Sequence, residues 1–265
     1  MSFKHKKKYG QNFLNDQTNV LEKIMEVSGV SENDEILEIG PGEGALTELL
    51  LEKAKKVNCV EIDTDLEKIL RKKFDKNPKF NLNMGDILEA DLEKIIGENT
   101  KVVANIPYYI TSPIINKLIE HRDKINEVYL MVQKEVGERV CASSGKERSV
   151  LTLAIEYFGE ASYLFTIPKE FFTPVPKIDS GFIAIKFYKD KRYENQINEA
   201  LFFKYVKAAF SNKRKNIVNN LSTLGIGKDK IQNVLENIGI SFNERAENLT
   251  IEQFIELAKL LEEKQ

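Results

Sequence analysis

The chain has 265 residues, 42% hydrophobic and 30% charged, with a net charge of −2. That length suits one large domain with a small companion, and the balance is that of an ordinary soluble globular protein. No apolar run reaches the roughly 18–20 residues that span a bilayer. The only histidines and cysteines are His5, His121, Cys59 and Cys141, without ligand spacing. They give no expectation of a metal centre or a disulfide framework, and almost no material for a Ser-His or Cys-His nucleophile.

"MSFKHKKKYG" has the charge of a signal n-region but lacks the apolar stretch that should follow, so the expected location is cytoplasmic. Beyond the basic arm (1–15), Asp16 is expected to cap a helix running to about Ser28 and ended by Gly29. An alternation follows. "EILEI" (35–39) reads as strand and "GALTELLLEKA" as helix, then "KVNCVEI" (56–62) as strand. "TDLEKILRKKF" reads as helix, opened by a capping box of Thr64 with Glu67. "KFNLNM" (79–84) is strand, with a short helix near 91–96, then strand "KVVAN" (101–105) and helix "SPIINKLIEH" with Pro113 in its first turn. Strand "NEVYLMV" (126–132) precedes helices near 133–142 and 147–158. Two late strands, 161–167 and 180–188, flank "FFTPVPKIDSG" with no helix between, and are expected to pair antiparallel at one edge. Past "YKDKRYENQ" (188–196) helical periodicity takes over, including "KRKNIVNNLSTL". The expectation is an α/β fold: a Rossmann-like, doubly wound, mostly parallel sheet in a domain over 1–190, and a small all-helical domain over 191–265.

"EIGPGEG" (38–44) closes the first strand of the sheet and opens a helix. Its glycines, Gly40, Gly42 and Gly44, suit a tight turn and close approach of backbone to a ligand. Glu61 ends the second strand, 21 residues after Gly40, where a carboxylate accepts two hydrogen bonds from a ribose diol. Asp86 follows the third strand, placed to accept from an adenine amino group, and Asn105 ends the fourth. Each alone reads equally well as a turn or cap. Four polar strand ends on one sheet edge favour a nucleoside cofactor. The GxGxG spacing, in place of GxGxxG, points to S-adenosylmethionine rather than a nicotinamide dinucleotide. That cofactor carries its own electrophile, so the want of a base, nucleophile or metal is no obstacle.

"NIPYY" (105–109) then has a chemical reading. An adenine amine is a poor nucleophile because its lone pair is delocalised into the ring. The Asn105 amide oxygen and a backbone carbonyl, such as that of Ile106, are placed to accept its two hydrogens and favour a pyramidal nitrogen. Pro107 stiffens the turn and is expected to leave its own carbonyl free, and Tyr108 is expected to stack on the base. Phe172 is a second stacking candidate for the opposite face, with core packing the competing reading for it and for Phe171. Asn12 and Leu14 in "QNFLN" are candidates to close over the cofactor, against the plainer reading of a lead-in to the helix. Basic clusters at 4–8 and at 212–216, the second carrying Lys213, Arg214 and Lys215, lie near aromatics and suit phosphates, though any lysine run is first a solvated face.

Taken together, "YGQNFLND", "EIGPGEGALT", "VEID", "GD" (85–86), "NIPYYITSPII", "QKEVGERV", "FFTPVPKIDS" and "AFSNKRKNIVNNL" closely resemble the rRNA adenine N6,N6-dimethyltransferases, over almost the whole chain. The resemblance implies a seven-stranded class I methyltransferase sheet, and cofactor contacts at Asn12, Leu14, Gly40, Glu61, Asp86 and Asn105. It places the catalytic motif on Asn105, Ile106, Pro107 and Tyr108. It also implies two adjacent adenines near the 3′ end of 16S rRNA as substrate, in a small-subunit precursor docked on the helical domain and its NKRK cluster. A monomer is expected, with no membrane and no metal. Tyr109 stands where the family often has asparagine. The rival readings are a macrolide-resistance enzyme acting on large-subunit rRNA, an assembly checkpoint factor, and a nicotinamide oxidoreductase.

Overall fold

The strands that read as near-continuous apolar runs are those of a sheet buried on both faces. In a computed structural model, which describes residues 13–14 and 19–263, these runs are β2 (Glu35–Ile39), β3 (Lys56–Glu61), β5 (Thr100–Asn105) and β6 (Ile125–Gln133). On one face Ile36, Val57, Cys59, Val103 and Met131 pack with Ile24, Leu50 and Leu70. These last come from α1 (Val20–Ser28), α2 (Ala45–Lys53) and α3 (Thr64–Phe74). The alternate residues Leu37, Ile39, Val60, Val102 and Leu130 are buried as well.

With β4 (Phe80–Met84), β7 (Gly159–Ile167) and β9 (Ser180–Phe187) the sheet has seven strands, in the order β4-β3-β2-β5-β6-β9-β7. Neighbours from β4 to β6 run parallel, and β9 runs antiparallel to β6. The two late strands are therefore sheet neighbours as expected, but the first partner of β9 is β6, and β9 lies inside the sheet with β7 at its edge. The chain winds outward from β2 to β4, then returns through β5 on the other side of β2. That reversal places a crevice beyond the carboxyl ends of β2 and β5, where doubly wound sheets hold ligands. A two-residue strand, β1 (Phe13–Leu14), pairs antiparallel with β8 (Phe172–Thr173).

The helices follow the sequence with three adjustments. α1 ends at Gly29, whose φ of 55° is the left-handed turn glycine allows, and it begins at Val20; Asp16 lies outside the described residues. α3 is capped by Asp63, which accepts from the Asp65 N–H, so the expected Thr64–Glu67 box does not form and Glu67 pairs with Arg71 instead. In the helical part, "NKRK" is a turn, and the next helix, which we number after α4 (Leu92–Ile95), α5 (Thr111–Glu120), α6 (Lys134–Val140), α7 (Val150–Phe158) and α8 (Glu199–Ala209), is α9 (Ile217–Leu221), capped by Asn216. α10 (Lys228–Asn237) and α11 (Ile251–Glu262) complete the chain.

The described residues fall into two compact units: those up to 138 with 161–187, and 139–160 with those from 188 on. The second thus takes in α7, which the sequence assigned to the first domain. The reason is chemical. Tyr157 of α7 stacks on Phe202 of α8 at 4.5 Å between ring centres and donates its hydroxyl to the Ile197 carbonyl at 3.0 Å. Buried Arg148 ties the start of α7 to Glu156 and to the Leu249 carbonyl. No helix among the described residues is long and apolar enough to cross a membrane.

Candidate functional site

The four strand ends singled out in the sequence lie side by side, because β4, β3, β2 and β5 are successive neighbours. Their backbones continue the ladder past the strands. Gly40 donates to the Val60 carbonyl at 2.9 Å, and Gly85 to the Glu61 carbonyl at 2.8 Å. Gly40, Pro41 and Asn105 share a cavity of about 150 Å³ with Glu38, Glu43 and Glu48. Leu14 also lines it; Asn12 lies outside the described residues.

The glycine turn requires its glycines. Gly40 has φ +67° and faces the Asn105 carbonyl, which a Cβ would meet at 3.9 Å. Gly44 has φ +87°, and a Cβ there would sit 2.5 Å from the Phe74 ring. The C-terminal end of α3 holds this turn from outside, since Lys73 also donates to the Glu43 carbonyl at 2.8 Å.

Glu61 is buried, and both carboxylate oxygens accept backbone N–H groups: from Asp63 at 2.8 Å and from Gly42 at 3.3 Å. Burial raises its pKa, and these two bonds only partly pull it back. The carboxylate is thus oriented by the glycine turn itself, with each oxygen keeping a lone pair for a hydroxyl donor. Asp86 accepts from the Leu88 N–H at 2.9 Å, which fixes the turn after β4.

Glu38 was not singled out as a binding residue, yet it lines the cavity. It is buried, accepts from the Thr47 hydroxyl at 2.7 Å and the Cys59 thiol at 3.5 Å, and desolvation pushes its pKa up to about 7. The available signal was a carboxylate in the middle of a strand buried on both faces.

In "NIPYY", Ile106 is buried and anchors the turn in the core. Residues 108–110 form a single helical turn in which the Pro107 carbonyl accepts from the Ile110 N–H at 3.3 Å. That corrects the expectation of a free Pro107 carbonyl. Tyr108 is held by its main chain, whose carbonyl accepts from the Thr111 hydroxyl at 3.2 Å, and by its phenol, 2.5 Å from the Ser180 hydroxyl. Tyr109 is 60% exposed. The stacking role expected for Phe172 is corrected: its ring is 1% exposed, packed in the core around α1 to α3, and presents no face to a base.

Lys213, Arg214 and Lys215 are all exposed, on the turn between α8 and α9 of the second unit. The turn is built around two asparagines. The Asn212 side chain accepts from the Arg214 N–H at 3.0 Å. Buried Asn220 donates to the Ala209 carbonyl at 2.6 Å and the Asn212 carbonyl at 3.0 Å. A rigid polar support thus presents three cations together.

Comparison with known proteins gives these features a family. The chain is 68% identical to the ribosomal RNA small subunit methyltransferase A of Fusobacterium nucleatum subsp. nucleatum, over 99% of both chains. It is 41% identical to the protein of the same name from Mesoplasma florum, over 97% of this chain and 98% of the other. Among solved structures, a dimethyladenosine transferase from Plasmodium falciparum superposes with a TM-score of 0.77 at 28% identity, covering 92% of this chain and 96% of that one. The 23S rRNA methyltransferase ErmE gives 0.75 at 26% identity, covering 95% and 100%. With the family model for ribosomal RNA adenine dimethylases matching residues 2–263, the chain belongs to that family.

Proposed function

We propose that this protein transfers methyl groups from S-adenosylmethionine to the N6 amines of two adjacent adenines near the 3′ end of small-subunit rRNA, giving N6,N6-dimethyladenosine. The observation that carries this reading is Asn105. It is a neutral amide at the end of β5, on the wall of a cavity shared with the glycine turn, and a tyrosine held at both ends follows three residues later. The small-subunit target is supported by the names of the Fusobacterium and Mesoplasma relatives.

The residues present fit the cofactor. Gly40 leaves open backbone beside Asn105, Glu61 keeps acceptor capacity for a ribose diol, and the cavity lining is acidic on balance, with Glu43, Glu48 and the partly protonated Glu38 against Lys73. When bound, S-adenosylmethionine supplies a methyl group already activated on a sulfonium. Leu14, Gly40, Gly42, Glu61, Asp86 and Asn105 would hold it, and Asn12 belongs to the same expected set. At the reacting amine, the Asn105 amide oxygen and the Ile106 carbonyl accept the two N–H hydrogens. They favour a pyramidal nitrogen and stabilise positive charge as it develops. Tyr108 stacks on the base and keeps it in line. The target adenine leaves its helical stack to reach Asn105. Lys213, Arg214 and Lys215 contact rRNA phosphates, which position the substrate without reading its sequence.

Labelled methyl transfer to unmethylated small subunits and, separately, to large-subunit rRNA tests the reading, with the modified base identified by mass. Dimethyladenosine in small-subunit rRNA is expected; label confined to large-subunit rRNA overturns the target. Asn105→Ala is expected to slow transfer by about 10²–10³-fold while the cofactor still binds. Wild-type turnover in that variant refutes the role of the amide.

A further inference from the structure

We propose that Ser180 is a positioning residue for methyl transfer, fixing through its hydroxyl the plane of the Tyr108 ring. The inference rests on the reading of Tyr108 as the stacking platform and adds a determinant 72 residues away in sequence.

Ser180 opens β9 opposite Gln133 of β6 and is 0% exposed. The segment leading to it is tied down on two sides. The Asp179 carbonyl accepts from the Lys134 N–H at 3.0 Å, and the Asp179 carboxylate accepts from the Lys169 N–H at 3.1 Å. A hydroxyl on so fixed a backbone is a stationary anchor. Tyr108, by contrast, stands on a single helical turn between strand and helix, a short element with little stiffness of its own. Its main chain is set by Thr111, but a main-chain bond leaves the side-chain torsions free. The 2.5 Å contact to Ser180 removes that freedom at the far end of the ring.

The contact also satisfies Ser180, whose buried hydroxyl has no access to water. Burial pushes the Tyr108 phenol above its ordinary range, only partly offset by Ser180, so the phenol keeps its proton at neutral pH and the pair stays intact. A stacking ring held at backbone and tip presents one plane to an incoming base, which is the geometric condition for in-line transfer. Tyr109, its neighbour, is largely exposed.

The test is a double-mutant cycle on the full-length protein with Ser180→Ala, Tyr108→Phe and both together. Each single change removes one hydroxyl and leaves the ring and the β6–β9 ladder in place. Ser180→Ala is expected to lower kcat by about 10-fold, with the affinity for S-adenosylhomocysteine unchanged. Tyr108→Phe should match it, and the double variant should be no slower than either single one. Multiplying losses, an unchanged kcat, or a loss of cofactor affinity in step with thermal stability would each overturn the proposal. ¹⁹F spectra of protein carrying 3-fluorotyrosine separate this from the functional reading. The Tyr108 signal, assigned by its absence in Tyr108→Phe, is expected to move toward the free-tyrosine position in Ser180→Ala. If it moves and wild-type protein methylates no small subunit, the functional reading fails and the anchor stands; if it stays, the anchor fails.

Discussion

Replacing Glu38 with glutamine should change how the stability of the protein depends on pH. In the fold, burial lifts this carboxyl from its ordinary 4.5 to about 7, against the opposing bonds from Thr47 and Cys59. A folded-state value above the unfolded one means that the native protein binds the proton more readily. The group's contribution is therefore fully present below about pH 4.5 and is lost as pH rises through about 7. The full interval, at roughly 1.36 kcal/mol per pH unit, corresponds to about 3 kcal/mol. Between pH 5 and pH 8 about 2.5 kcal/mol of that should disappear. Glutamine keeps the shape and the acceptor for Thr47 but does not titrate. Urea unfolding of both proteins at several pH values, followed by circular dichroism, reads the difference, because the carboxyls away from Glu38 cancel between them and only Glu61, which repels it, is coupled to the change. The stability of Glu38→Gln relative to wild type should rise by about that 2.5 kcal/mol from pH 5 to pH 8. Parallel curves would mean that Glu38 is ionised in the fold across the range, and would refute the argument from burial.

Gly44→Ala should destabilise the first unit by about 2–5 kcal/mol, from left-handed strain and a clash with the Phe74 ring; thermal melts check it, and a shift of under a degree would contradict the packing at the turn. Asn220→Ala should cost about 1–3 kcal/mol by removing the donor to the buried Ala209 carbonyl and one of two donors to the Asn212 carbonyl, read as faster hydrogen exchange in residues 209–220; unchanged exchange would show that the basic turn does not depend on it. Replacing Lys213, Arg214 and Lys215 with alanine should weaken rRNA binding and lower the slope of log K against log salt by at most about 2–3, near 0.9 per phosphate contact. An unchanged slope would make the cluster a solvated face.

What the sequence disclosed and what it hid divide along sequence distance. Gly40, Glu61, Asp86 and Asn105 could be placed on one edge because a parallel sheet repeats strand, turn and helix locally, and topology brings equivalent ends together. The Phe171–Phe172 pair could not be resolved: Phe171 closes a short helical turn and Phe172 opens β8, and only pairing with β1 and packing against the core bury Phe172 fully while Phe171 rests partly buried on the same cluster. The NKRK turn looked helical because apolar spacing runs on past it, whereas the Asn220 carboxamide that folds it comes from the following helix. Tyr108 was legible as an aromatic beside Asn105, but Ser180 was not, since no local pattern records a hydrogen bond between the end of β5 and the start of β9.

The distribution of charge across the first unit follows from the chemistry proposed for it. Ionisable groups gather on the binding side: Glu61 is oriented by backbone N–H groups, and Glu38, Glu43 and Glu48 stand around the cavity. The reacting side, Asn105 to Tyr108, holds an amide, an apolar side chain, a proline and a phenol that stays protonated at neutral pH. A carboxylate in place of Asn105 would add a negative charge at an amine that is neutral until the methyl arrives, and would bind protonated amines in preference to a nucleobase. A neutral acceptor favours the base and still stabilises the charge that grows on its nitrogen. On the proposed chemistry, selectivity for a neutral adenine and catalysis of its methylation depend on the same amide, on a turn anchored in the core by buried Ile106.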